Sequence, residues 1–521
     1  AREQAALLLR TAAAGAVLLR NEGGLLPLSV PSLCRVAVLG AGAASARVQG
    51  GGSAEVFPPY VVSPLEGLRA AFGPGVEVVH AVGAPTSTGP AALRPAPIGT
   101  DDVRDPATGE PGVRARFLDA HGAELDSQHR RSGRLLWSPS EVPEGAAQVE
   151  VTARLRTEVA GRWQIGVAGT GRYALDVDGT TVFDGVIEMD TDDIAAVALA
   201  PPYEVVDVEL AADQVVDLAV RHQVGTAVFG VSATLGAARP AVPEDEQMAA
   251  AVALARSADA VVVVVGTTSE IESEGFDRTT LALPGRQDEL VRAVAAANPR
   301  TAVVVNSGGP VALPWYREVP AVLLSWFPGQ ECGHALADVL TGAVEPGGRL
   351  PTTWAATEGD GPVPTTVPTA GRLDYAEGLH VGHRGWLRAG AEPAAWFGHG
   401  LGYTTWRVGD VTAPPDVAPG EAVTVRARVA NTGARRGAEV VQVYLSRPDS
   451  ALDRPVRWLA GFARVEAGAG EEVDVEVEVP RRALEHWSAE QGAWATEPGE
   501  FRLHVGRSVV VVDAELTVSA T

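Results

Sequence analysis

The sequence contains no lysine, and its 42 basic side chains other than histidine are all arginine. This absence excludes a P-loop, a Schiff-base lysine and a serine–lysine dyad, because each of those sites requires the amine. Acidic residues number 65, which gives a formal net charge of −23 at pH 7. Phosphate binding needs a basic face, so we expect no nucleic-acid partner. An acidic surface is compatible with a neutral small ligand.

Cysteine is also scarce, with only Cys34 and Cys332 in 521 residues. Two cysteines do not make a disulfide scaffold, and no cysteine–histidine cluster has the spacing of zinc ligands, so we expect neither a metal nor another cofactor. We expect both thiols to lie beside buried strands or helices as small hydrophobic groups. The longest strongly apolar run, 260–266, is far too short to span a bilayer, which argues against a membrane partner.

The N-terminal segment places Glu3, Arg10 and Arg20 between apolar positions, which is typical of an amphipathic helix and not of a signal peptide. We expect this helix to include residues 17–19 and to end before Asn21. The chain opens inside the helix pattern and without a methionine, so we expect that more of the protein precedes it. The cellular compartment therefore stays open.

Hydrophobic periodicity changes twice along the chain. Residues 36–39, 65–72 and 76–79 predict a strand, a helix and a strand, and residues 244–340 predict further βα units of a parallel sheet. Between them, residues 113–235 alternate with period two, which predicts an all-β module. We therefore predict a multidomain chain, α/β plus all-β, in which a β-sandwich is inserted into one α/β sandwich domain.

The predicted organisation has five consecutive segments, and the last has the size of an immunoglobulin-like sandwich. Residues 1–100 are the first part of the α/β sandwich domain, 101–237 the inserted β-sandwich, 238–390 the second part of the α/β sandwich domain, 391–407 a linker, and 408–521 the C-terminal β-sandwich.

A run rich in acidic residues, 269–278, follows the predicted strand 261–265 directly. Loops at the carboxyl ends of parallel strands are where α/β domains bind ligands. Glu270, Glu272 and Glu274 alternate here, and a carboxylic acid beside other carboxylates can keep its proton at neutral pH and act as a general acid. A solvated acidic loop is the competing interpretation.

Three consecutive glycines, 50–52, lie a short distance after the first predicted strand. Glycine permits a close approach of the backbone or a positive φ, so a binding loop and a tight surface turn are equally compatible with this triplet. The preceding segment 38–45 half-matches a dinucleotide-binding fingerprint. Ser45 replaces its third glycine, and no acidic residue follows the next strand at the required place, so we reject a nicotinamide cofactor.

Seven motifs in a fixed order resemble those of family 3 glycoside hydrolases of the β-glucosidase type. The resemblance covers nearly the whole chain, from the α/β sandwich domain to a fibronectin type III-like domain. The motifs are AVLLRNE (16–22) with LPL (26–28), QGGGSA (49–54), SEGFDR (273–278), PGQE (328–331), PGGRLP (346–351), EGL (377–379) with VGHR (381–384), and FGHGLGY (397–403).

The resemblance implies a retaining β-glycosidase that releases terminal non-reducing β-D-glucosyl residues from a carbohydrate or glycoside substrate. It implies that Glu274 is the acid/base residue, with Glu272 as the alternative glutamate. It also implies substrate contacts from Arg47, Ser53 and Glu272. A retaining enzyme needs one protonated carboxyl and one attacking carboxylate, about 5 to 5.5 Å apart.

The chain departs from this family in one large respect. The family's nucleophile is an aspartate in a Ser-Asp-Trp motif on a TIM barrel that precedes the α/β sandwich domain, and the sequence contains neither that motif nor an eightfold βα pattern. We expect the chain to be part of a longer enzyme and to be inactive without this barrel. One subunit of a split enzyme, and a non-catalytic carbohydrate-binding protein, are the alternatives. A homo-oligomer and the identity of the sugar stay open.

The inserted all-β module, 112–236, resembles a PA14 domain, because YALDVDG (173–179) is similar to that domain's core strand and turn. Some β-glucosidases carry such an insert at this position, where it narrows the mouth of the active site. The resemblance implies the same role for the module in this chain.

Overall fold

The computed structural model of the chain describes residues 2–52, 56, 58–87, 89–95, 101–188, 201–225, 230–274, 277–362, 367–418 and 420–520. Its elements fall into four successive groups, and the first alternates helices and strands. These are α1 (Arg2–Gly15), β1 (Val17–Asn21), β2 (Arg35–Leu39), α2 (Ala41–Ala44), α3 (Pro64–Phe72) and β3 (Glu77–Ala81).

The second group is built from strands in the part of the chain that the structure describes. They are β4 (Ala91–Ala92), β5 (Val103–Arg104), β6 (Val113–Leu118), β7 (Glu124–Arg130), β8 (Arg134–Trp137), β9 (Gln148–Arg156), β10 (Gly161–Ala168), β11 (Gly171–Val177), β12 (Thr180–Ile187), β13 (Tyr203–Leu210), β14 (Val215–Gln223) and β15 (Val231–Ala238).

The third group alternates again. It comprises α4 (Glu244–Arg256), β16 (Ala260–Gly266), α5 (Gln287–Ala297), β17 (Thr301–Asn306), β18 (Ala321–Leu324), α6 (Cys332–Thr341) and α7 (His383–Ala389). The fourth group comprises β19 (Trp406–Thr412), β20 (Asp416–Val417), β21 (Val423–Asn431), β22 (Gly437–Ser446), β23 (Trp458–Ala467), β24 (Glu472–Val479), β25 (Glu485–Ser488), β26 (Ala493–Thr496), β27 (Gly499–Gly506) and β28 (Val512–Ala520).

The first and third groups share one six-stranded sheet, in the order β1-β18-β17-β16-β2-β3. Strand β2 pairs in parallel with β16, although the whole second group separates them in the sequence. The pairs from β18 to β3 are all parallel, and β1 is antiparallel at the edge. Helices α4 and α5 cover one face of the sheet, and α1, α3 and α6 cover the other. The resulting three layers bury the apolar runs of the central strands on both sides.

Residues 17–21 form strand β1 and do not continue helix α1, so the prediction of a helix over 17–19 was wrong. The helix ends at Gly15. Val17 and Leu19 lie in the core on one face of the sheet, and Leu18 lies in the core on the other. A strand directs successive side chains to opposite faces, so three consecutive apolar residues fit a sheet that is covered on both sides.

The second and fourth groups are each built around sheets that enclose their own apolar core. In the second group, β11 and β12 are joined at Asp178 and Gly179, whose φ values of 47° and 75° suit a tight hairpin turn of the primed type. In the fourth group, β19-β21-β24 and β20-β28-β27-β22-β23 are the two larger sheets. The chain is therefore a multidomain protein dominated by sheets, with few helices.

The two cysteines have different environments. Cys332 is buried at the start of α6, where burial raises the pKa of its thiol to about 12. Cys34 is exposed, which corrects the expectation that both thiols are buried. It immediately precedes β2, and its backbone N donates to Asp259 Oδ2 at 2.7 Å.

Among the residues that the structure describes, none of the helices has the length and apolar character needed to cross a bilayer. No group of three or more histidine, cysteine, aspartate or glutamate side chains there is placed to hold a metal ion.

Candidate active site

Loops from four parallel strands meet at the carboxyl edge of the central sheet. Residues 45–62, here called the glycine-rich loop, follow β2 and α2, and residues 267–286, here called the acidic loop, follow β16. Shorter connections begin at 307 after β17 and at 325 after β18. The chain runs outward from β2 to β3 on one side and to β16 on the other, so the strand order reverses between these two loops. Open parallel sheets bind ligands in the crevice at such a point.

The side chain of Asn306, the last residue of β17, joins two of these loops. Its Oδ1 accepts a hydrogen bond from Arg47 N at 2.8 Å, and its Nδ2 donates to Arg47 O at 2.9 Å and to Trp326 O at 2.5 Å. The side chain is buried, where polar interactions are stronger than in water. Sequence reasoning missed Asn306, whose only signal was a polar residue at the end of an apolar strand.

Trp326, the second residue after the end of β18, has a φ of 55°. A bulky residue rarely adopts this backbone conformation, and it persists where the surroundings fix it, often at a functional site. The bond from Asn306 to its carbonyl is one such restraint. Its indole packs edge-on against Trp354 with the ring centroids 6.0 Å apart. Sequence reasoning missed this residue as well.

Arg47 links the glycine-rich loop to two neighbouring loops through its side chain. Its Nη1 donates to Thr268 O at 2.8 Å, in the acidic loop. Its guanidinium lies 4.6 Å from the centroid of the Phe327 ring, a distance at which a cation is attracted to the ring face. Arg47, predicted to contact substrate, thus lies at the sheet edge between the loops that follow β16 and β18.

Glu272 is bonded to the ends of two strands. Its Oε2 accepts hydrogen bonds from Thr267 Oγ1 at 2.6 Å and from Gly308 N at 3.3 Å. A β-carbon built on Gly308 would lie 2.5 Å from Glu272 Oε1, so a larger residue at 308 would displace the carboxylate. These contacts make Glu272 part of the internal bonding of the acidic loop.

Glu274 is exposed at the same edge, and its side chain lies against the glycine-rich loop. A β-carbon built on Gly52, whose φ is 76°, would lie 2.5 Å from Glu274 Oε2 and 2.6 Å from Glu274 Cβ. One built on Gly51 would lie 3.1 Å from Ser273 Oγ. The glycines therefore permit a close approach of backbone to side chain. Ser53, predicted to contact substrate, lies outside the described residues.

Other parts of the chain border this edge. Arg131, in the turn between β7 and β8, donates from Nη2 to Pro59 O of the glycine-rich loop at 3.0 Å. Ser87, in the connection after β3, donates to Glu270 Oε1 of the acidic loop at 3.1 Å. Burial, together with the nearby Glu270 carboxylate, raises the pKa of Tyr203 in β13 to about 12. The second group of strands thus flanks both loops of the candidate site.

Comparison with known proteins places this architecture in a family. Residues 16–403 match the glycosyl hydrolase family 3 C-terminal domain, and residues 439–509 match the fibronectin type III-like domain. The chain therefore belongs to glycosyl hydrolase family 3 and carries the C-terminal domain of that family together with a fibronectin type III-like domain.

Its relatives include β-glucosidases. The chain is 35% identical to a β-glucosidase of Rhizobium radiobacter over 99% of this chain and 62% of that protein. A probable β-glucosidase I of Aspergillus terreus is 34% identical, over 99% of this chain and 63% of that protein. The chain thus spans about three fifths of the length of these curated relatives.

Solved structures show the same arrangement. The chain resembles a β-glucosidase from Kluyveromyces marxianus in complex with glucose, with a TM-score of 0.90 at 29% identity over 100% of this chain and 63% of that one. It also resembles DesR, a β-glucosidase from Streptomyces venezuelae in complex with D-glucose, with a TM-score of 0.69 at 31% identity over 99% and 60% of the two chains.

Proposed function

We propose that this chain is the C-terminal portion of a retaining β-glucosidase that hydrolyses terminal non-reducing β-D-glucosyl residues. The observation that carries the proposal is the exposed Glu274 carboxyl, which lies against Gly52 at the point where the strand order of the sheet reverses. Relatives that are β-glucosidases by name support the choice of substrate class.

In this proposal Glu274 acts first as general acid and then as general base. As an acid it gives its proton to the departing aglycone oxygen, and as a base it takes a proton from the water that hydrolyses the glycosyl intermediate. Glu272 orders the acidic loop through its bonds to Thr267 and Gly308. Arg47 and Ser53, whose positions in the sequence fall within the glycine-rich loop, are proposed to contact substrate.

The other half of the reaction requires a carboxylate nucleophile about 5 to 5.5 Å from the Glu274 carboxyl. We assign this nucleophile to a family 3 TIM barrel, supplied by the same gene or by a separate chain. Glu274 is exposed, so a second domain can cover it and complete the site.

The second group of strands is proposed to be a PA14-like insert that narrows the mouth of the site. The bond from Arg131 to Pro59 supports this role, because it attaches the β7–β8 turn to the loop that lies against Glu274.

The test is an activity assay with an aryl β-glucoside on two preparations. One is the 521-residue chain, and the other is the same chain fused behind a family 3 TIM barrel, here called the barrel-bearing enzyme. The proposal expects no turnover by the chain and turnover by the barrel-bearing enzyme. Turnover by the chain alone would refute the proposal that the nucleophile lies on a separate barrel. Glucoside binding without turnover in either preparation would favour a carbohydrate-binding protein.

A further inference from the structure

Three polar side chains meet at the start of α6, at one end of the glycine-rich loop. Glu331 precedes the helix and is buried. Its Oε1 accepts a hydrogen bond from the Tyr60 hydroxyl, and its Oε2 lies 2.7 Å from His334 Nδ1. Glu331 makes no side-chain capping bond to the described backbone of α6, although it occupies the capping position. Its carboxylate therefore contacts Tyr60 and His334 and does not cap the helix.

Hydrogen bonds hold the glycine-rich loop at both of its ends, and Tyr60 lies near the C-terminal end. The side-chain amide of Gln49 bonds both backbone groups of Val56, with its Nε2 donating at 2.5 Å and its Oε1 accepting at 3.1 Å. Val62 N donates to Gln330 O at 2.9 Å, and Gly329 N donates to Val48 O at 2.9 Å. The loop is thus held at both ends by the segment 328–331.

Between these two attachments lies the backbone that touches Glu274. Gly52 is in contact with that side chain. Its positive φ and the short distances leave no room for a side chain between its backbone and Glu274. A shift of the Tyr60 end of the loop would change the surface against which Glu274 rests. The hydrogen bond to Glu331 is the main cause of the raised pKa of Tyr60. The raised pKa keeps the phenol protonated, so that it can donate this bond.

We propose that Glu331 is a positioning residue that acts through Tyr60: it fixes the glycine-rich loop so that Gly52 holds the Glu274 carboxyl in its working orientation. This inference rests on the proposed function for its catalytic consequence. The tethering of the loop can be measured without any activity, so the two can fail separately.

The first test is amide hydrogen exchange in the 521-residue chain. Tyr60→Phe and Glu331→Ala remove the bond, and we expect exchange of the hydrogen-bonded amides of Val56 and Val62 to rise roughly tenfold, the loss expected for a hydrogen bond to a charged acceptor. Glu331→Gln keeps an acceptor for Tyr60 and should give a smaller rise. Tyr316→Phe, which removes a buried tyrosine bond to Leu19 O elsewhere in the same sheet, is the matched control and should leave both amides unchanged. Unaltered exchange at both amides in Tyr60→Phe and Glu331→Ala would overturn the proposal.

The second test uses the barrel-bearing enzyme and two glucosides, one with a poor leaving group and one with an activated phenol. A misplaced general acid should lower kcat/KM, which reports the glycosylation step, about tenfold for the poor leaving group and leave it nearly unchanged for the activated substrate, whereas partial unfolding would lower both equally. Equal losses on both substrates in Tyr60→Phe would contradict a positioning role. If the barrel-bearing enzyme is inactive before any substitution, the proposed function is wrong. The exchange result would still test whether Glu331 fixes the glycine-rich loop through Tyr60.

Discussion

Gly52 and Glu274 are in direct contact across the carboxyl edge of the sheet: a β-carbon on Gly52 would lie 2.5 Å from Glu274 Oε2. The two residues belong to different loops, one after β2 and one after β16, and meet only because these strands are neighbours. The contact explains why the chain uses glycine here, since both the positive φ and the lack of space disfavour any side chain.

Gly52→Ala should therefore impair the barrel-bearing enzyme. The new methyl group would displace the Glu274 carboxyl, and a small misplacement of a reacting group can cost about 10- to 100-fold in kcat/KM. Gly50→Ala is the matched control, because no described atom lies within 4 Å of a β-carbon at that position and its φ is not positive. Equal activity of the two variants with aryl glucosides would contradict the contact.

The strand-end loops were accessible to sequence analysis, but their internal bonding was not. The run 261–265 predicted a buried strand, and the parallel pattern placed 269–278 at its carboxyl end, which is where the structure has residues 269–274. The partners of Glu272 include Gly308, in a loop after a different strand. Whether Glu272 and Gly308 meet depends on the order and register of the strands in the sheet. A single sequence does not specify these. The same holds for Asn306 and its bonds to Arg47 and Trp326.

Arg349 and Glu439 form a nearly buried ion pair, 2.5 Å apart, between the 346–351 loop and the C-terminal β-sandwich. Arg349→Met should leave the Glu439 carboxylate buried without its charge partner and cost about 3 kcal/mol, visible as a lower melting temperature. Arg426→Met breaks the exposed pair with Glu476 and should change stability by less than about 1 kcal/mol. A similar melting temperature in both variants would show that the buried pair adds little.

His383 should make the chain sensitive to acid. Burial, together with the charge of Arg384, lowers the pKa of His383 to about 4, and its ring stacks on Phe397 with the centroids 4.4 Å apart. The folded state then binds fewer protons than the unfolded state, so stability falls as the pH drops from about 6.5 towards 4. His383→Phe keeps the stacking and removes the titration.

The expected measurement is the free energy of unfolding at pH 7 and pH 4.5. Between these values the parent chain should lose about 1 to 2 kcal/mol more than His383→Phe, an amount reduced from the full shift because the ring is partly solvated. Identical losses in the two proteins would mean that His383 does not carry the acid sensitivity.

The error at residues 17–21 shows a second limit of the sequence. Three consecutive apolar residues that continue a helix are compatible with helix and strand alike, and the decision depends on whether both faces of the segment find a core. Here Val17 and Leu18 enter two different cores because β1 pairs with β18, some 300 residues away in the chain. That pairing is a property of the assembled sheet and not of the local pattern.

The central claim is that Glu274, and not Glu272, is the acid/base residue, and the most direct measurement compares Glu274→Gln with Glu272→Gln in the barrel-bearing enzyme. Loss of the proton donor should lower kcat/KM, which reports the glycosylation step, about 10²- to 10⁴-fold for a glucoside with a sugar leaving group and much less for an activated phenol. With the activated phenol, hydrolysis of the glycosyl intermediate then limits kcat, and azide should partly restore this kcat because it attacks the intermediate without a general base. Glu272→Gln should show neither the dependence on leaving group nor the rescue. Both effects at Glu272 and neither at Glu274 would contradict the account.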